Sequence, residues 1–438
     1  MKNTFLRIAL YAATALTLGF GLSACEDEPD KFELADGKPT VYYVRPVNVE
    51  AADSLLTAAY MGNNVCIVGE NLRSVYRLLF NDQEATLNNS YITDNTLLVQ
   101  VPNEIPGEVT NTMYLINRNR DTVKFDFSVL VPAPTITAMS CEYAPAGSVA
   151  TLVGDYFVDD PNVPLKLYVG DTEATIKSIS KGAIDFVVPD VAEAPLKVTN
   201  IYGEATSSFH YKDSRGLLFD FDGVTGLGNH GWHAQVIETD ETAITGNFLR
   251  FGGADVAMSE DGAWDDGHFS FEYWPGQWTT PQEYTGDGIL LTDLADFSDW
   301  KNMSLKFEFY VPSANPWMAG SMQLIVAGRD KVTLAGGLDV FGDEVPGANN
   351  TFFNGTELPR GLYTPWYPSG SFDTGDEWIT VTVPYANFIY GSDGTIATGS
   401  LTADDFTSLT IFVWSGGYTG TECHPILKLD NIRAVPNN

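Results

Sequence analysis

The sequence Phe-Asn-Asp-Gln-Glu-Ala-Thr at residues 80–86 has a later counterpart, Val-Gly-Asp-Thr-Glu-Ala-Thr at residues 169–175. Each copy follows an apolar run that ends in Gly and an acidic residue, and each precedes a run that ends in Val-Pro. Such short β-branched or alternating runs between Gly, Asn, Asp and Pro are typical of antiparallel strands joined by tight turns. The first half of the chain is therefore predicted to contain one small antiparallel β-sandwich twice.

Composition limits the classes of protein that this chain can belong to. It has 438 residues, of which 44% are hydrophobic, so it can bury a core. Its formal net charge of −33 argues against a nucleic-acid binder, because phosphate would be repelled. The same charge argues against electrostatic adhesion to an anionic membrane face. The length predicts two to four domains at roughly 100–200 residues each.

The N-terminus has the pattern of an export signal. Two basic residues precede an apolar run at residues 8–22, and Leu-Ser-Ala-Cys at residues 22–25 resembles a bacterial lipobox. Residues 1–24 are therefore assigned to a lipoprotein signal peptide, and the resemblance implies that the Cys25 thiol receives the lipid, which would be the only contact with the membrane. The acidic residues that follow predict a solvated tether at residues 25–37 and resemble the signal that sends Bacteroidetes lipoproteins to the cell exterior.

The repeated motifs resemble IPT/TIG immunoglobulin-like domains, over residues 38–131 and 132–212. The resemblance implies that the two copies act as spacers. Gly69 and Gly154 are predicted at strand ends, where the backbone needs a positive φ or a close approach. The joint at residues 131–134 contains two prolines and is predicted to be semi-rigid, whereas the proline-free joint at residues 211–216 is predicted to bend more.

A larger module, residues 213–438, contains all nine tryptophans of the chain. Strand-like runs at residues 217–222 and 426–432 open and close it, which predicts a jelly-roll β-sandwich whose terminal strands pair. The chain as a whole is therefore predicted to be all-β, with two tandem immunoglobulin-like sandwiches followed by a larger one. Trp300, Trp378 and Trp414 lie in or beside strand-like runs and are interpreted as packing residues.

Other aromatic residues of this module lie in turn-rich sequence. An exposed aromatic ring in a loop usually marks an interaction site, and sugars present apolar C–H faces that stack on such rings. The predicted glycan-binding platform consists of Trp274, Trp278, Trp317, Tyr363 and Trp366. The alternative is that these rings pin long loops onto the sandwich.

The order of modules resembles a Bacteroidetes surface glycan-binding protein of the SGBP-B type. The segments at residues 311–317, 360–366 and 378–381 are similar to the C-terminal xyloglucan-binding-type domain of that family. The resemblance implies a lipid-anchored outer-membrane protein that binds a neutral plant-type polysaccharide, xyloglucan or another β-glucan or hemicellulose, at the cell surface. It also implies that binding occurs without cleavage and beside a SusC/SusD-like importer.

Two other function classes stay open on the sequence alone: a cell-surface adhesin or structural protein, and a glycoside hydrolase with paired carboxylates. The Gly-x-Gly-x-x-Gly match at residues 226–231 lacks a βαβ context, and the His230–His233 pair lacks a third ligand for zinc. No cofactor is predicted, although acidic pairs such as Asp220 and Asp222 leave a structural calcium ion open. Cys66 lies in an apolar run and is interpreted as a buried small hydrophobe.

Overall fold

The computed structural model describes residues 35–51, 53–225, 236–276, 289–333, 337–346 and 355–437. The chain divides into two compact units, residues 1–132 and 133–438. The α-helix of the described residues is one turn long, so nothing in that part of the chain could cross a bilayer as a helix. Cys25 and residues 26–34 of the predicted tether lie outside the described residues.

The first immunoglobulin-like domain is a small sandwich. Its strands are β1 (Thr40–Pro46), β2 (Ala58–Tyr60), β3 (Asn64–Glu70), β4 (Val75–Phe80), β5 (Gln83–Glu84), β6 (Thr96–Gln100), β7 (Thr112–Asn117), β8 (Thr122–Asp126) and β9 (Ser128–Leu130). One sheet has the order β1-β3-β6 and the other β5-β4-β7-β8, while β2 and β9 form a parallel pair. Alternate apolar residues of the two sheets meet in one core.

The second immunoglobulin-like domain repeats this plan with one strand more in its first sheet. Its strands are β10 (Thr135–Met139), β11 (Val149–Asp155), β12 (Lys166–Val169), β13 (Thr172–Glu173), β14 (Thr175–Ile179), β15 (Ala183–Val187), β16 (Ala194–Asn200) and β17 (Gly203–Tyr211). The sheets have the orders β10-β11-β15-β14 and β13-β12-β16-β17. The predicted repeat is therefore present.

The two repeats share a bulge that requires glycine. A Cβ atom on Gly69 would lie 1.9 Å from the carbonyl oxygen of Thr40, and one on Gly154 would lie 1.9 Å from that of Thr135. In both domains the first strand shifts register opposite this glycine. Close backbone approach, rather than a positive φ, therefore explains both glycines.

The C-terminal domain is a larger sandwich. Its elements are β18 (Leu217–Phe219), β19 (Val236–Glu238), β20 (Phe248–Gly252), α1 (Asp266–Phe269), β21 (Ser270–Tyr273), β22 (Met303–Tyr310), β23 (Met322–Ala327), β24 (Gly361–Tyr363), β25 (Ile379–Pro384), β26 (Ser408–Val413) and β27 (Ile426–Pro436). One sheet has the order β19-β20-β27-β22-β25, with β18 also paired to β27, and the other has the order β21-β26-β23-β24. The all-β fold and the pairing of the terminal strands β18 and β27 are thus confirmed.

Buried charges join the second immunoglobulin-like domain to the C-terminal domain. The carboxylate of Glu142 accepts hydrogen bonds from Lys306 at 2.5 Å and from Arg433 at 2.6 Å. Arg433 also donates to Glu308 at 2.7 Å, and all four residues are buried or nearly so. Burial raises the pKa of Glu308, while Arg433 opposes that rise. The two domains therefore share a polar network that neither could satisfy alone.

The chain segment between these two domains is part of the same interface. Asp213 is buried, and its carbonyl oxygen accepts a hydrogen bond from the Tyr143 hydroxyl at 2.8 Å. Trp378 packs against the core of the second domain and donates its indole N–H to the carbonyl oxygen of Thr242. The prediction that the joint at residues 211–216 bends more was wrong, because absence of proline says nothing about burial.

Candidate functional site

Three of the predicted platform residues lie inside the C-terminal domain. Trp274, Trp317 and Trp366 are at most 2% exposed. Their indole N–H groups donate to the Thr410 hydroxyl, the Ala319 carbonyl and the Gly320 carbonyl, respectively. The expectation that these rings stand exposed to solvent was wrong. The turns around them fold the rings back onto the sandwich, where each N–H finds an acceptor.

The remaining two predicted platform residues are Tyr363 and Trp278. Tyr363 is half-buried on β24 and packs against Phe307, Phe309 and Trp317. Burial raises the pKa of its hydroxyl. Trp278 lies outside the described residues. The structure thus does not bring the four described residues, Trp274, Trp317, Tyr363 and Trp366, together into an open platform.

A different aromatic ring of this domain reaches the surface, supported by two others. Trp264 is 44% exposed, and its ring stands edge-on to Phe412 at 4.6 Å and to Trp414 at 5.1 Å between centroids. Phe412 and Trp414 lie nearly parallel to each other at 5.9 Å. We call Trp264, Phe412 and Trp414 the aromatic cluster. Its outer member presents a large apolar face to solvent from a rigid support.

The alternation of β26 explains why the cluster lies on the outer face of its sheet. Phe219 of the opposite sheet contacts Phe271 at 5.0 Å, and Phe271 pairs with Ile411. Ile411 therefore faces the sandwich interior, so that Phe412 and, by the same parity, Trp414 face outward. The loop after β26 carries both Trp414 and, four residues on, Tyr418.

Two tyrosines extend the exposed aromatic surface of this domain. Tyr367 is 58% exposed and stands edge-on to Tyr418 at 4.8 Å. Gly416 and Gly417 adopt positive φ values of 71° and 81° between Trp414 and Tyr418, a conformation that favours glycine. This tight turn brings Tyr418 to Tyr367. We call Tyr367 and Tyr418 the tyrosine pair.

A buried polar pair fixes the backbone of the aromatic cluster. Gln323 lies opposite Phe412 on β23 and donates to the carbonyl oxygen of Trp414 at 2.9 Å. Its own oxygen accepts a hydrogen bond from Arg360 at 2.8 Å. Burial lowers the pKa of Arg360 to about 10, which leaves the guanidinium charged near neutral pH. Gln323 and Arg360 are both fully buried, so their role in this domain is to position Trp414.

The comparisons with known proteins agree with this architecture. Residues 211–436 match the family described as surface glycan-binding protein B xyloglucan binding domain, and residues 54–127 and 134–212 match the IPT/TIG domain. The crystal structure of the surface glycan-binding protein PbSGBP-B from Prevotella bryantii is 45% identical with a TM-score of 0.79, and the match covers 92% of this chain and 100% of that one. The chain belongs to the surface glycan-binding protein B family.

More distant relatives add little to this assignment. An IPT/TIG domain-containing protein of Bacteroides ovatus is 28% identical over 166 residues, which is 35% of this SGBP-B chain and about a third of that protein. An SGBP-B from a complex xyloglucan utilization locus in Bacteroides uniformis is 14% identical with a TM-score of 0.37, over 91% of this chain and 100% of that one. The resemblances to the SGBP-B family and to IPT/TIG domains are both confirmed by the closer matches.

The acidic residues suggested for a calcium ion have other roles in this SGBP-B chain. Asp220 accepts backbone N–H groups of Asp222 and Val224, and Asp222 accepts that of Asn247. Within the described ranges, the group of acidic and histidine side chains close enough to share a metal is Glu193, His210 and Asp213. Those three already bond to each other or to Ser214 and Arg215. The described residues therefore give the calcium prediction no further support.

Proposed function

We propose that this protein is a non-catalytic outer-membrane lipoprotein that captures a neutral plant-type polysaccharide for a SusC/SusD-like uptake system. Xyloglucan or another β-glucan is the proposed ligand, since the matched family is described by xyloglucan binding. The exposed ring of Trp264, braced by Phe412 and Trp414, is the single observation that carries the site. A sugar ring can stack on such a face through its C–H groups, and the tyrosine pair offers a second contact.

Replacing Trp264 by alanine tests the proposed site directly. We expect the affinity for xyloglucan to fall at least about tenfold, or roughly 1.4 kcal/mol, because the stacking face is lost. Affinity electrophoresis over xyloglucan, mixed-linkage glucan and mannan identifies the ligand, and calorimetric titration measures the loss. Tyr76→Ala is the matched control, since Tyr76 is 41% exposed but lies in the first domain. Equal binding by the Trp264→Ala variant and the parent would remove the aromatic cluster from the site.

The same gels separate the proposed function from its alternatives. A neutral ligand makes binding nearly independent of salt, whereas a charged partner would show a strong salt dependence. Retarded migration without release of reducing ends supports capture without cleavage. Released sugar would instead identify a glycoside hydrolase, and absence of retardation on every glycan would favour an adhesin.

The proposed lipid anchor has its own test. Cys25→Ala in the full chain removes the thiol that would carry diacylglycerol. We expect the variant to leave the outer-membrane fraction and to lose labelling by radioactive palmitate, while its binding of xyloglucan stays unchanged. Co-purification with a SusC/SusD-like complex from the parent strain, and its loss in the variant, would support the proposed partnership.

A further inference from the structure

The two immunoglobulin-like domains differ at one sheet edge. In the second domain, β14 covers the outer edge of β15, with Thr175 paired to Val187 and Ser178 paired to Asp185. In the first domain the corresponding strand β6 is the last of its sheet. Of the described residues, the segment before β6 pairs with it only near its start, at the Ile92–Leu97 bridge and through the Thr93 N–H, which donates to the carbonyl of Thr96 at 2.8 Å.

The sequence explains why the first domain lacks this strand. The segment of the first domain that corresponds to β14 contains Asn88, Asn89 and Ser90, and residues Asn89–Tyr91 form a 3-10 helix. The Asn88 side chain accepts the backbone N–H of Ser90 at its start. Such local side-chain bonds compete with strand pairing, so the segment leaves the sheet edge. β14, by contrast, has the β-branched residues Thr175, Ile176 and Ile179 among its five and pairs with β15 along its length.

The open edge of β6 presents backbone groups toward the space that β14 fills in the second domain. The N–H of Val101 donates to Asn63 and the N–H of Gly69 donates to the carbonyl of Asn95, so alternate residues of β6 bond to β3. By this alternation the peptide groups of Leu98 and Gln100 point away from β3. Unpaired groups in such a row are a template for another strand.

A groove of about 950 Å³ lies along this edge. The side chains that line it include Gln83, Thr86, Asn88, Tyr91, Leu98 and Gln100. Tyr91 is 58% exposed. Leu98 occupies the position of Asp185, whose carboxylate holds β14 through the Ser178 hydroxyl at 2.6 Å. The groove therefore offers an apolar contact where the second domain has a polar one.

We propose that this edge of the first domain binds an extended polypeptide segment of a partner protein as an added antiparallel strand. The second domain shows what fills the same position, namely a polypeptide strand, and this favours a peptide over a glycan. The segment would place an apolar side chain opposite Leu98 and beside Tyr91, and would bond its backbone to Leu98 and Gln100.

The position of the first domain in the chain suits such a partner. Strand β1 begins at Thr40, fifteen residues after the proposed lipidated Cys25. Fifteen residues span at most about 54 Å, so the domain would stay within reach of proteins embedded in the same membrane. The docking surface is distinct from the aromatic cluster and does not depend on the glycan ligand.

A synthetic peptide of residues 174–180 is the probe, because it carries β14. We expect it to bind the full chain weakly, and the peptide with Ser178→Val to bind about fivefold more tightly through its contact with Leu98. Gln100→Pro removes one outward N–H without removing a bond to β3, and should weaken binding at least about tenfold. Fluorescence anisotropy of the labelled peptide measures both, and thermal unfolding checks that each variant folds.

Two further variants keep the test decisive. Leu98→Lys should abolish the preference for the Ser178→Val peptide, whereas Tyr76→Ala, on the other sheet, should change nothing. Peptide binding that is unaffected by both Gln100→Pro and Leu98→Lys, or no peptide binding at all, would overturn the proposal. So would a loss of affinity for long xyloglucan chains in Tyr91→Ala, because the groove would then bind glycan.

Discussion

Trp317 and Trp264 are the same residue type in the same domain, yet their environments differ completely. Trp317 is fully buried among Phe309 and Tyr363, whereas Trp264 is nearly half exposed. We expect Trp317→Ala to lower the free energy of unfolding by about 3–5 kcal/mol, because it leaves a large cavity. Trp264→Ala should change stability far less. Urea denaturation of both variants checks this, and a Trp317→Ala variant as stable as the parent would contradict the assignment.

Trp264 could not be identified from the sequence as the exposed tryptophan, because the residues beside a tryptophan do not determine whether its ring is buried. Trp274 and Trp366 lie beside proline and glycine, yet each ring turns inward to a hydrogen-bond acceptor made by a distant strand or loop. Trp414 is predicted to be a packing residue since it ends an apolar strand, and it does pack against Trp264 and Phe412, although its ring is only half-buried. The outward parity that it shares with Phe412 was the available signal, but the outer face of β26 is itself buried, at Ser408 and Thr410 as well as at Phe412.

Asp430 gives a prediction about pH. Burial, together with the nearby acids Glu308, Asp222 and Asp220, raises its pKa to about 9. The unfolded chain releases this proton near pH 4, whereas the folded chain keeps it. Stability from this group is therefore complete below about pH 4 and is lost as the pH rises toward 9. Asp430→Asn should stabilise the protein by roughly 1–3 kcal/mol at pH 8 and change little at pH 4.

Asp405 provides the control of opposite sign. Burial opposes its ionisation, but Lys331 and Thr402 outweigh that effect and lower its pKa. Asp405→Asn should therefore destabilise the protein at neutral pH, and the loss should shrink as the pH falls. Thermal unfolding of both variants from pH 4 to pH 8.5 compares them. A pH-independent gain in Asp430→Asn would mean that Asp430 is ionised when folded.

Strand content followed directly from the sequence, whereas strand edges did not. The strand-like runs at residues 217–222 and 426–432 became β18 and β27, each of which begins at the predicted residue, because a short apolar run bounded by turns indicates a buried strand. The segment at residues 86–92 differs from β14 because the Asn88 side chain bonds the nearby backbone. This bond shifts a weak local balance away from a paired strand and toward the 3-10 helix. The resulting open edge on β6 was not predicted.

The contact between β22, β27 and the second domain predicts a large effect of one substitution. Glu142→Ala removes the carboxylate that bridges Lys306 and Arg433, and leaves buried positive charge uncompensated. We expect a loss of about 3–5 kcal/mol in unfolding free energy. Glu84→Ala is the matched control, since the Arg77–Glu84 pair has similar geometry but is nearly half exposed, and should cost at most about 1 kcal/mol. Equal losses in the two variants would mean that burial of the network is unimportant.

The order of the domains could be predicted from the repeats and from the distribution of tryptophan, but the packing of the joints between the domains could not. The boundary between the two compact units falls at Pro132, within the proline-containing joint. The proline-free joint at residues 211–216 lies inside the second unit, because Glu142, Tyr143 and Trp378 come from distant parts of the chain to cover it. The local composition of a joint indicates how an uncovered linker would behave, but it cannot reveal that distant residues pack over that joint.

Calorimetry of the whole chain tests this division. We expect two unfolding transitions, one for the first immunoglobulin-like domain and one shared by the second domain and the C-terminal domain, because the buried Glu142 network couples the latter two. Glu84→Ala should shift only the first transition and Glu142→Ala only the second. Three resolved transitions in the parent would show that the network does not couple the domains. A single shared transition for residues 133–437 would mean that the second immunoglobulin-like domain and the domain that carries the aromatic cluster unfold together. A substitution in the second immunoglobulin-like domain, such as Glu142→Ala, should then also weaken glycan binding at elevated temperature.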